Sequence, residues 1–306
     1  MAYKITFFYK FVPLEDFEEI RKPLLETCHS LNIVGTILLA REGINGTIGG
    51  TTQDIDGIVA HLRSDERLND LQFKFSEASE KPFHRIKVRL KKEIITMGVP
   101  GVDPFRQTGQ HVSPEEWNHL INDPDVYVLD TRNKYETAIG SFENAVDPQT
   151  ESFGEITTFV EQNLAKDKDR KIAMFCTGGI RCEKLSAYML GQGFRKIYQL
   201  NGGILKYLEE MPEEQSHWKG DCFVFDHRVS VGHALTEGEY TMCHGCGNPL
   251  AEEDRRDSAY EESVSCLHCA DSLTDVKRNS LRERQKQIQL AKKRQAEHLG
   301  QKIHKF

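Results

Sequence analysis

The sequence predicts a mixed α/β protein of two successive domains, followed by a small Cys-rich region and a basic helical tail. Three observations carry that prediction. Within residues 1–97 the apolar periodicity changes in the order β-α-β-β-α-β. From Ser113 onward, short apolar strands alternate with helical patterns. Beyond residue 218 the apolar content falls, two Cys-x2-Cys pairs appear, and the last thirty residues turn basic.

The first strand is Tyr3 to Val12, rich in aromatic and β-branched residues. Pro13 follows it, and Leu14 to Leu31 has helical spacing at Leu14, Phe17, Ile20, Leu24, Leu25 and Cys28. Val34 to Ala40 and Ile44 to Ile48 form two strands joined by a tight turn at Arg41-Glu42-Gly43. Ile55 to Leu62 is a second helix, and Phe73, Phe75 and the stretch Ile86 to Ile95 supply further strands. This order predicts a ferredoxin-like sandwich, a fold too widely used to indicate a function. Residues 98–112, with three Gly and two Pro, read as a linker. Ser113-Pro-Glu-Glu116 is an N-cap signature that opens the central domain, 113–218. There Val126 to Leu129, Lys171 to Phe175 and Ile197 to Leu200 read as strands, and Gly154 to Leu164 and Glu183 to Leu190 as helices. Such alternation predicts a mostly parallel sheet covered on both faces, with ligands at the carboxyl ends of its strands. Residues 219–275 form the Cys-rich region and 276–306 the basic tail, helical in part, with apolar residues at Leu281, Ile288 and Leu299.

The net charge of −7 conceals an asymmetry. Residues 277–306 hold ten Lys/Arg and two Asp/Glu, a charge of +8, which leaves the other 276 residues at −15. An acidic body with a basic arm suits a polyanionic partner, although a solvated terminal helix fits the same numbers. No apolar run approaches the roughly 20 residues that span a bilayer, and no signal-peptide layout follows Met1. A soluble cytoplasmic protein is the expectation. Eight cysteines in such a chain point to metal binding and thiol chemistry instead of disulfides.

The strongest local signal is Phe175-Cys-Thr-Gly-Gly-Ile-Arg-Cys-Glu183, which follows a strand and opens a helix near Glu183. Thr177, Gly178, Gly179 and Ile180 can turn their N–H groups inward as an anion cradle, aided by the helix N-terminus. A cysteine at the base of such a cradle favours its thiolate, which makes Cys176 the candidate nucleophile. Arg181 could hold a bound oxyanion through two nitrogens. Cys182 reads either as a resolving thiol for Cys176 or as an ordinary helix residue. Asp130 and Arg132 suit an internal ion pair better than a catalytic role.

Cys176-Thr-Gly-Gly-Ile-Arg181 resembles the six-residue active-site loop of rhodanese domains. Leu129-Asp-Thr-Arg132, with Glu136 and Gly140, is similar to the Asp-x-Arg signature of those domains, and Leu200-Asn-Gly-Gly-Ile204 to their closing motif. The resemblance implies a rhodanese-like central domain in which Cys176 carries a persulfide. The Cys-x4-Arg spacing differs from the Cys-x5-Arg loops of the related phosphatases. The long form of the loop, to Lys184, occurs with Arg41-Glu-Gly-Ile-Asn-Gly46, Gly220-Asp-Cys-Phe-Val-Phe-Asp226 and Arg228-Val229. That combination, spread over nearly the whole chain, resembles the rhodanese-domain tRNA uridine hydroxylase family. The resemblance implies oxidation of wobble uridine 34 of tRNA to 5-hydroxyuridine, with dioxygen as co-substrate. Cys176→Ser should then abolish modification, and Cys176 must be open to a macromolecular guest. Two rivals stand beside this reading: a sulfurtransferase working through the same cysteine, and a non-enzymatic binding module.

Cys243-His-Gly-Cys246 and Cys266-Leu-His-Cys269 have zinc-ribbon spacing, so a structural zinc is expected there. A set of reduced thiols, or two disulfides made on oxidation, is the alternative. Neither a nucleotide-cofactor motif nor a two-His-one-carboxylate pattern is evident. Arg85, Lys87, Arg89 and Lys91 alternate onto one strand face, and with Arg282, Lys292 and Lys293 of the tail they are the candidate RNA contacts. The expected partner is the anticodon loop of a tRNA, its target base splayed out of the stack.

Overall fold

Residues 3–294, apart from the side chain of Lys292, are described by the computed structural model. Strands β1 (Tyr3–Phe11), β2 (Val34–Ala40), β3 (Gly43–Gly50), β4 (Phe73–Ala78) and β5 (Ile86–Leu90) form one sheet in the order β4-β1-β3-β2-β5. Helices α1 (Phe17–Ser30) and α2 (Thr52–Arg63) cover one face. Their Leu24, Cys28, Ile55, Ile58 and Leu62 pack on Phe8, Ile37, Leu39 and Ile48 of the sheet. This is the predicted ferredoxin-like arrangement with β5 added parallel to β2. α1 begins at Phe17, not Leu14, because Leu14 donates its N–H to Arg41 O and stays in the β1–α1 connection. α2 begins three residues before the expected Ile55. Thr51 and Asp54 form a capping box there, each side chain accepting from the other's backbone N–H. The expected strand to Ile95 stops at Leu90, and the chain then turns so that Ile94 N–H reaches Glu42 and Ile95 O reaches Lys184.

The uncovered face of this sheet can be read from its register. Lys74, Phe7, Thr47, Thr36 and Lys87 are cross-strand partners from β4 to β5. Directly paired residues share a face, so Phe7, Tyr9, Lys74, Lys87 and Arg89 all project from the side opposite the helices. Arg85, Arg89 and Lys91 are exposed and Lys87 half-buried, although Lys91 lies just beyond the end of β5.

The central domain has a four-stranded, all-parallel sheet in the order β6-β10-β9-β7. The strands are β6 (Gln110–Val112), β7 (Val126–Asp130), β9 (Lys171–Phe175) and β10 (Ile197–Leu200), and a short β8 (Gly140–Phe142) lies beside them. The helices are α3 (Pro114–Ile121), α4 (Lys134–Thr137), α5 (Ile156–Asn163), α6 (Ile180–Gly191) and α7 (Gly203–Glu210). α3 starts with the predicted capping box of Ser113 and Glu116. Two apolar clusters, one around Trp117, Phe142 and Tyr207 and one around Met174, Leu185 and Met189, fill the two sides of the sheet. β11 (Trp218–Gly220) pairs with β8, and Cys222 and Val224 lie in the same core as Phe142. The Gly220–Asp226 motif therefore starts in the central domain, not in the Cys-rich region to which sequence composition assigns it.

The chain forms two compact units. One runs to His227 and includes Val231–Glu237; the other is Arg228–Ser230 with the residues from Gly238 on. The second has a minimal core of Cys243, Leu250, Cys266 and Cys269. Among the described residues its last helix is α8 (Asp275–Lys293). The part of the predicted basic tail beyond residue 294, with Leu299, lies outside the described residues.

Candidate active site and cysteine cluster

β9 delivers Phe175 to the carboxyl edge of the parallel sheet, and the chain turns at once into α6. The helix opens at Ile180, with Gly179 as N-cap at φ +104°, three residues earlier than expected. That early start puts Arg181 and Cys182 in the first helical turn. Glycine is required on both sides of the turn. A Cβ on Gly178 would lie 2.3 Å from the Phe7 ring, and one on Gly203 would lie 2.5 Å from Cys176 O. The closing motif supports the loop from below, where Ile204 N and Leu205 N donate to Cys176 O and Thr177 O at 3.0 and 3.1 Å.

The Cys176 sulfur accepts a hydrogen bond from Gly179 N at 3.1 Å. Burial alone would push this thiol up. The Cys182 thiol, the Arg181 charge and the N–H groups of Cys182 and Gly179 outweigh burial and bring it down to about 5. Cys182 moves the other way, well above the ordinary thiol value, because it is buried beside the Cys176 charge. Cys182 also contacts Thr131 Oγ1 at 3.7 Å. Cys222 is an inert interior thiol, pushed up to about 12 by burial.

Arg181 is not free to receive an anion. Its guanidinium makes a bidentate pair with the buried Glu136 at 2.6 and 2.7 Å, and Glu136 accepts a further bond from Thr177 at 3.3 Å. The predicted oxyanion clamp is thus an internal ion pair that fixes the loop to α4. Asp130 and Arg132 form the expected internal pair, at 2.9 and 2.6 Å, and Arg132 also donates to Gly140 O at 2.6 Å. Both are fully buried.

The site is roofed by the first domain. Phe7 lies over Gly178 and the Tyr9 hydroxyl over Gly179, and Lys74 Nζ donates to Gly178 O. Cys176 consequently has 0% of its surface exposed, so the sulfur is enclosed where sequence reasoning expects it open. Beside the roof is a cleft of about 690 Å³, lined in part by Tyr9, Lys74, Phe105, His111, Glu183 and Lys206. Glu183 accepts from His111 at 2.8 Å, Thr108 at 2.6 Å, Gln199 at 3.1 Å and Tyr9 at 3.3 Å. Behind it, Lys184 is 1% exposed and is held by Glu42 at 2.8 Å and Glu93 at 2.6 Å. The ends of two separated sequence motifs, Glu42 of the first and Lys184 of the second, thus meet across the domain boundary. Tyr9, Lys74, His111 and Glu183 are site residues that sequence reasoning missed. Only Glu183 lies in a recognisable motif.

In the second unit, Cys243, Cys246, Cys266 and Cys269 place their sulfurs within 4.8 Å of one another. Sulfur separations are 3.9 Å for Cys243–Cys269, 3.7 Å for Cys246–Cys266 and 3.9 Å for Cys266–Cys269. Four thiolates about 2.3 Å from a common ion would stand about 3.8 Å apart in a tetrahedron, so the set fits a metal ion. Asn248 Nδ2 donates to Cys246 Sγ at 3.1 Å, supporting a ligand from outside. Arg282, a predicted RNA contact, forms an ion pair with Glu261 at 2.7 Å. Lys293 is exposed, and the side chain of Lys292 lies outside the described residues.

The family model for the UPF0176 acylphosphatase-like domain matches residues 3–94, and the model for the rhodanese-like domain matches residues 113–210. Among solved structures, the chain is similar to the rhodanese-like domain of an Anabaena protein, with 16% identity over 37% of this chain and 80% of that one, and a TM-score of 0.31. A rhodanese-related protein of Thermoplasma volcanium matches with 22% identity over 33% of this chain and 93% of its own, with a TM-score of 0.27. A rhodanese-like domain protein of Staphylococcus aureus matches with 22% identity over 32% and 90%, also with a TM-score of 0.27. An acylphosphatase-like domain of this type, joined to a rhodanese-like domain, is the architecture of the UPF0176 rhodanese-domain tRNA hydroxylase family, and this chain has that architecture.

Proposed function

We propose that this chain is a cytoplasmic tRNA-modifying oxidoreductase that uses dioxygen to hydroxylate wobble uridine 34, with Cys176 as its reacting thiol. One observation carries the reading. A thiol held as thiolate by the Cys182 thiol, the Arg181 charge and the N–H groups of Cys182 and Gly179 sits under a sheet face that also bears Lys87 and Arg89. β1 and β5 are three strand spacings apart, about 14 Å. An RNA backbone neutralised by Arg85, Lys87 and Arg89 would therefore lie within a few nucleotides of the loop. The target base would leave its stack and approach through the cleft, with Phe7 and Tyr9 moving aside to uncover the sulfur. Arg181 and Glu136 would keep the loop rigid while that happens.

Sulfur transfer is the second reading, because a thiolate in a rhodanese-like loop is also the acceptor a persulfide needs. Nucleoside analysis of tRNA from a deletion strain separates the two. Loss of a uridine derivative one oxygen heavier than uridine supports hydroxylation; loss of a thiolated base supports sulfur transfer. Re-expression of the wild-type chain should restore the oxidised nucleoside, and Cys176→Ser should leave it missing. Restoration by Cys176→Ser would instead support a binding module and end both enzymatic readings.

For the second unit we propose zinc as the occupant of the four-cysteine cluster. Cys243, Cys246, Cys266 and Cys269 would hold it, and it would supply the cohesion that so small an apolar core lacks.

A further inference from the structure

We infer that Lys74 is a positioning residue for the Cys176 thiol: by holding the Gly178 carbonyl, it turns the Gly179 N–H onto the sulfur. The argument starts from one peptide plane. The carbonyl of Gly178 and the N–H of Gly179 belong to the same peptide group, and in a trans peptide they point in opposite directions. One end of this group donates to Cys176 Sγ at 3.1 Å. The other end accepts from Lys74 Nζ at 2.5 Å. The first domain thus grips the far end of the peptide whose near end contacts the thiol.

That peptide needs a grip. It lies between two glycines, neither of which has a Cβ to restrict rotation, and Gly179 already adopts a left-handed conformation at φ +104°. Rotated by half a turn, the group would present its carbonyl oxygen to the sulfur, and a partial negative charge there disfavours a thiolate. Lys74 is well placed to prevent this. It projects from edge strand β4, paired with Phe7, and its ammonium lies 5.4 and 5.6 Å from the ring centres of Phe7 and Tyr9. Burial pushes that ammonium down to about 8, while charge at Cys176 pulls it back up. The groups that act on Lys74 are Cys176, Cys182 and Glu183, all from the loop and α6, and Lys206 from α7. Those that act on Cys176 include Arg181 and Cys182. The thiol's reactivity would therefore depend on the docking of a second domain, a dependence that the rhodanese-like sequence by itself does not reveal.

The inference rests on the reading of Cys176 as the reacting thiol, and its test is independent of tRNA. Iodoacetamide labelling of the full-length chain is followed from pH 4 to pH 10, with the Cys176-containing peptide quantified by mass spectrometry. The wild-type midpoint should fall near 5. In Lys74→Met the midpoint should rise by about one unit or more, which is at least tenfold less thiolate at acid pH. Lys74→Arg keeps a charged donor and should stay near wild type. A role limited to packing would change the labelling plateau or the melting temperature without moving the midpoint. A Lys74→Met midpoint equal to wild type would overturn the inference, as would a Lys74→Arg midpoint displaced as far as that of Lys74→Met. If Lys74→Met does not fold, Lys74→Gln replaces it, as a neutral donor that should raise the midpoint by a smaller amount; an unmoved midpoint again refutes the role. Labelling reports on the sulfur alone, so failure here leaves the nucleoside test of Cys176→Ser standing, and the reverse also holds.

Discussion

In the loop at residues 176–182, one sulfur faces hydrogen-bond donors and a balanced ion pair. Between residues 243 and 269, four sulfurs lie within 4.8 Å of one another, three of the pairs at 3.7 to 3.9 Å. The Cys176 thiolate is held by the Cys182 thiol, the Arg181 charge and the N–H groups of Cys182 and Gly179, so the fold itself supplies its stabilisation. Four thiolates that close together repel, and only a cation at their centre lets all four ionise. On the proposed reading, the first arrangement keeps its sulfur ionised for chemistry, and the second would commit every sulfur to a metal ion. Cysteine content alone does not separate the two roles; what each sulfur faces does.

Removing metal should break this comparison most visibly. A strong zinc chelator, or Cys266→Ser, should release one zinc per chain and abolish the ordered state of the second unit. Structural zinc sites of this kind contribute on the order of 10 kcal/mol. The first unit should keep its melting transition, and iodoacetamide labelling of Cys176 should be unchanged. Metal analysis with calorimetry checks both halves. A second unit that melts identically with and without chelator would show that the four cysteines are reduced thiols with no structural ion.

Much of this contrast was legible in the sequence. The strand–Cys–Gly-Gly–Arg–helix order exposed the loop, and the spacing of the two Cys-x2-Cys pairs exposed the cluster. What each side chain would touch was not legible. Arg181 follows the cysteine at clamp spacing, but Glu136, 45 residues earlier, takes both of its nitrogens. Lys74 sits in an unremarkable strand, and only the register that pairs it with Phe7 brings it to the loop. The enclosure of Cys176 depends on how one domain packs on another, and local periodicity contains no term for that. By contrast, capping boxes and strand alternation are short-range, and they are legible at Ser113 and at Lys87 and Arg89.

A smaller effect sharpens the loop side of the comparison. Glu136→Gln should leave Arg181 buried without a full counter-charge, and breaking a buried pair in this way costs about 3 to 5 kcal/mol. Burial would push the Glu136 carboxyl up, but the Arg181 charge and hydrogen bonds hold it below the ordinary range, so it is ionised in the wild-type fold. Urea denaturation should show the loss in the first unit alone. Replacing both partners with apolar residues of similar size should recover part of it, since neither charge is then left unpaired. A Glu136→Gln variant as stable as wild type would mean that the loop does not depend on this pair.

The smallest effect is a dependence on pH in the network beside the Cys176 loop. His111 donates to Glu183, and that bond, opposed by partial burial, raises the imidazole above its ordinary value. The folded chain therefore binds this proton more tightly than the unfolded chain does. The resulting stabilisation is complete below the unfolded value of about 6.5 and is lost as pH rises through the folded value. His111 is partly solvated, so screening keeps the contribution below about 1 kcal/mol. The difference in melting temperature between wild type and His111→Gln should accordingly be wider at pH 6 than at pH 9, and confined to the transition of the first unit. Equal differences at the two pH values would show that His111 acts on Glu183 as a neutral donor, and that the network beside the Cys176 loop holds no titrating charge of its own.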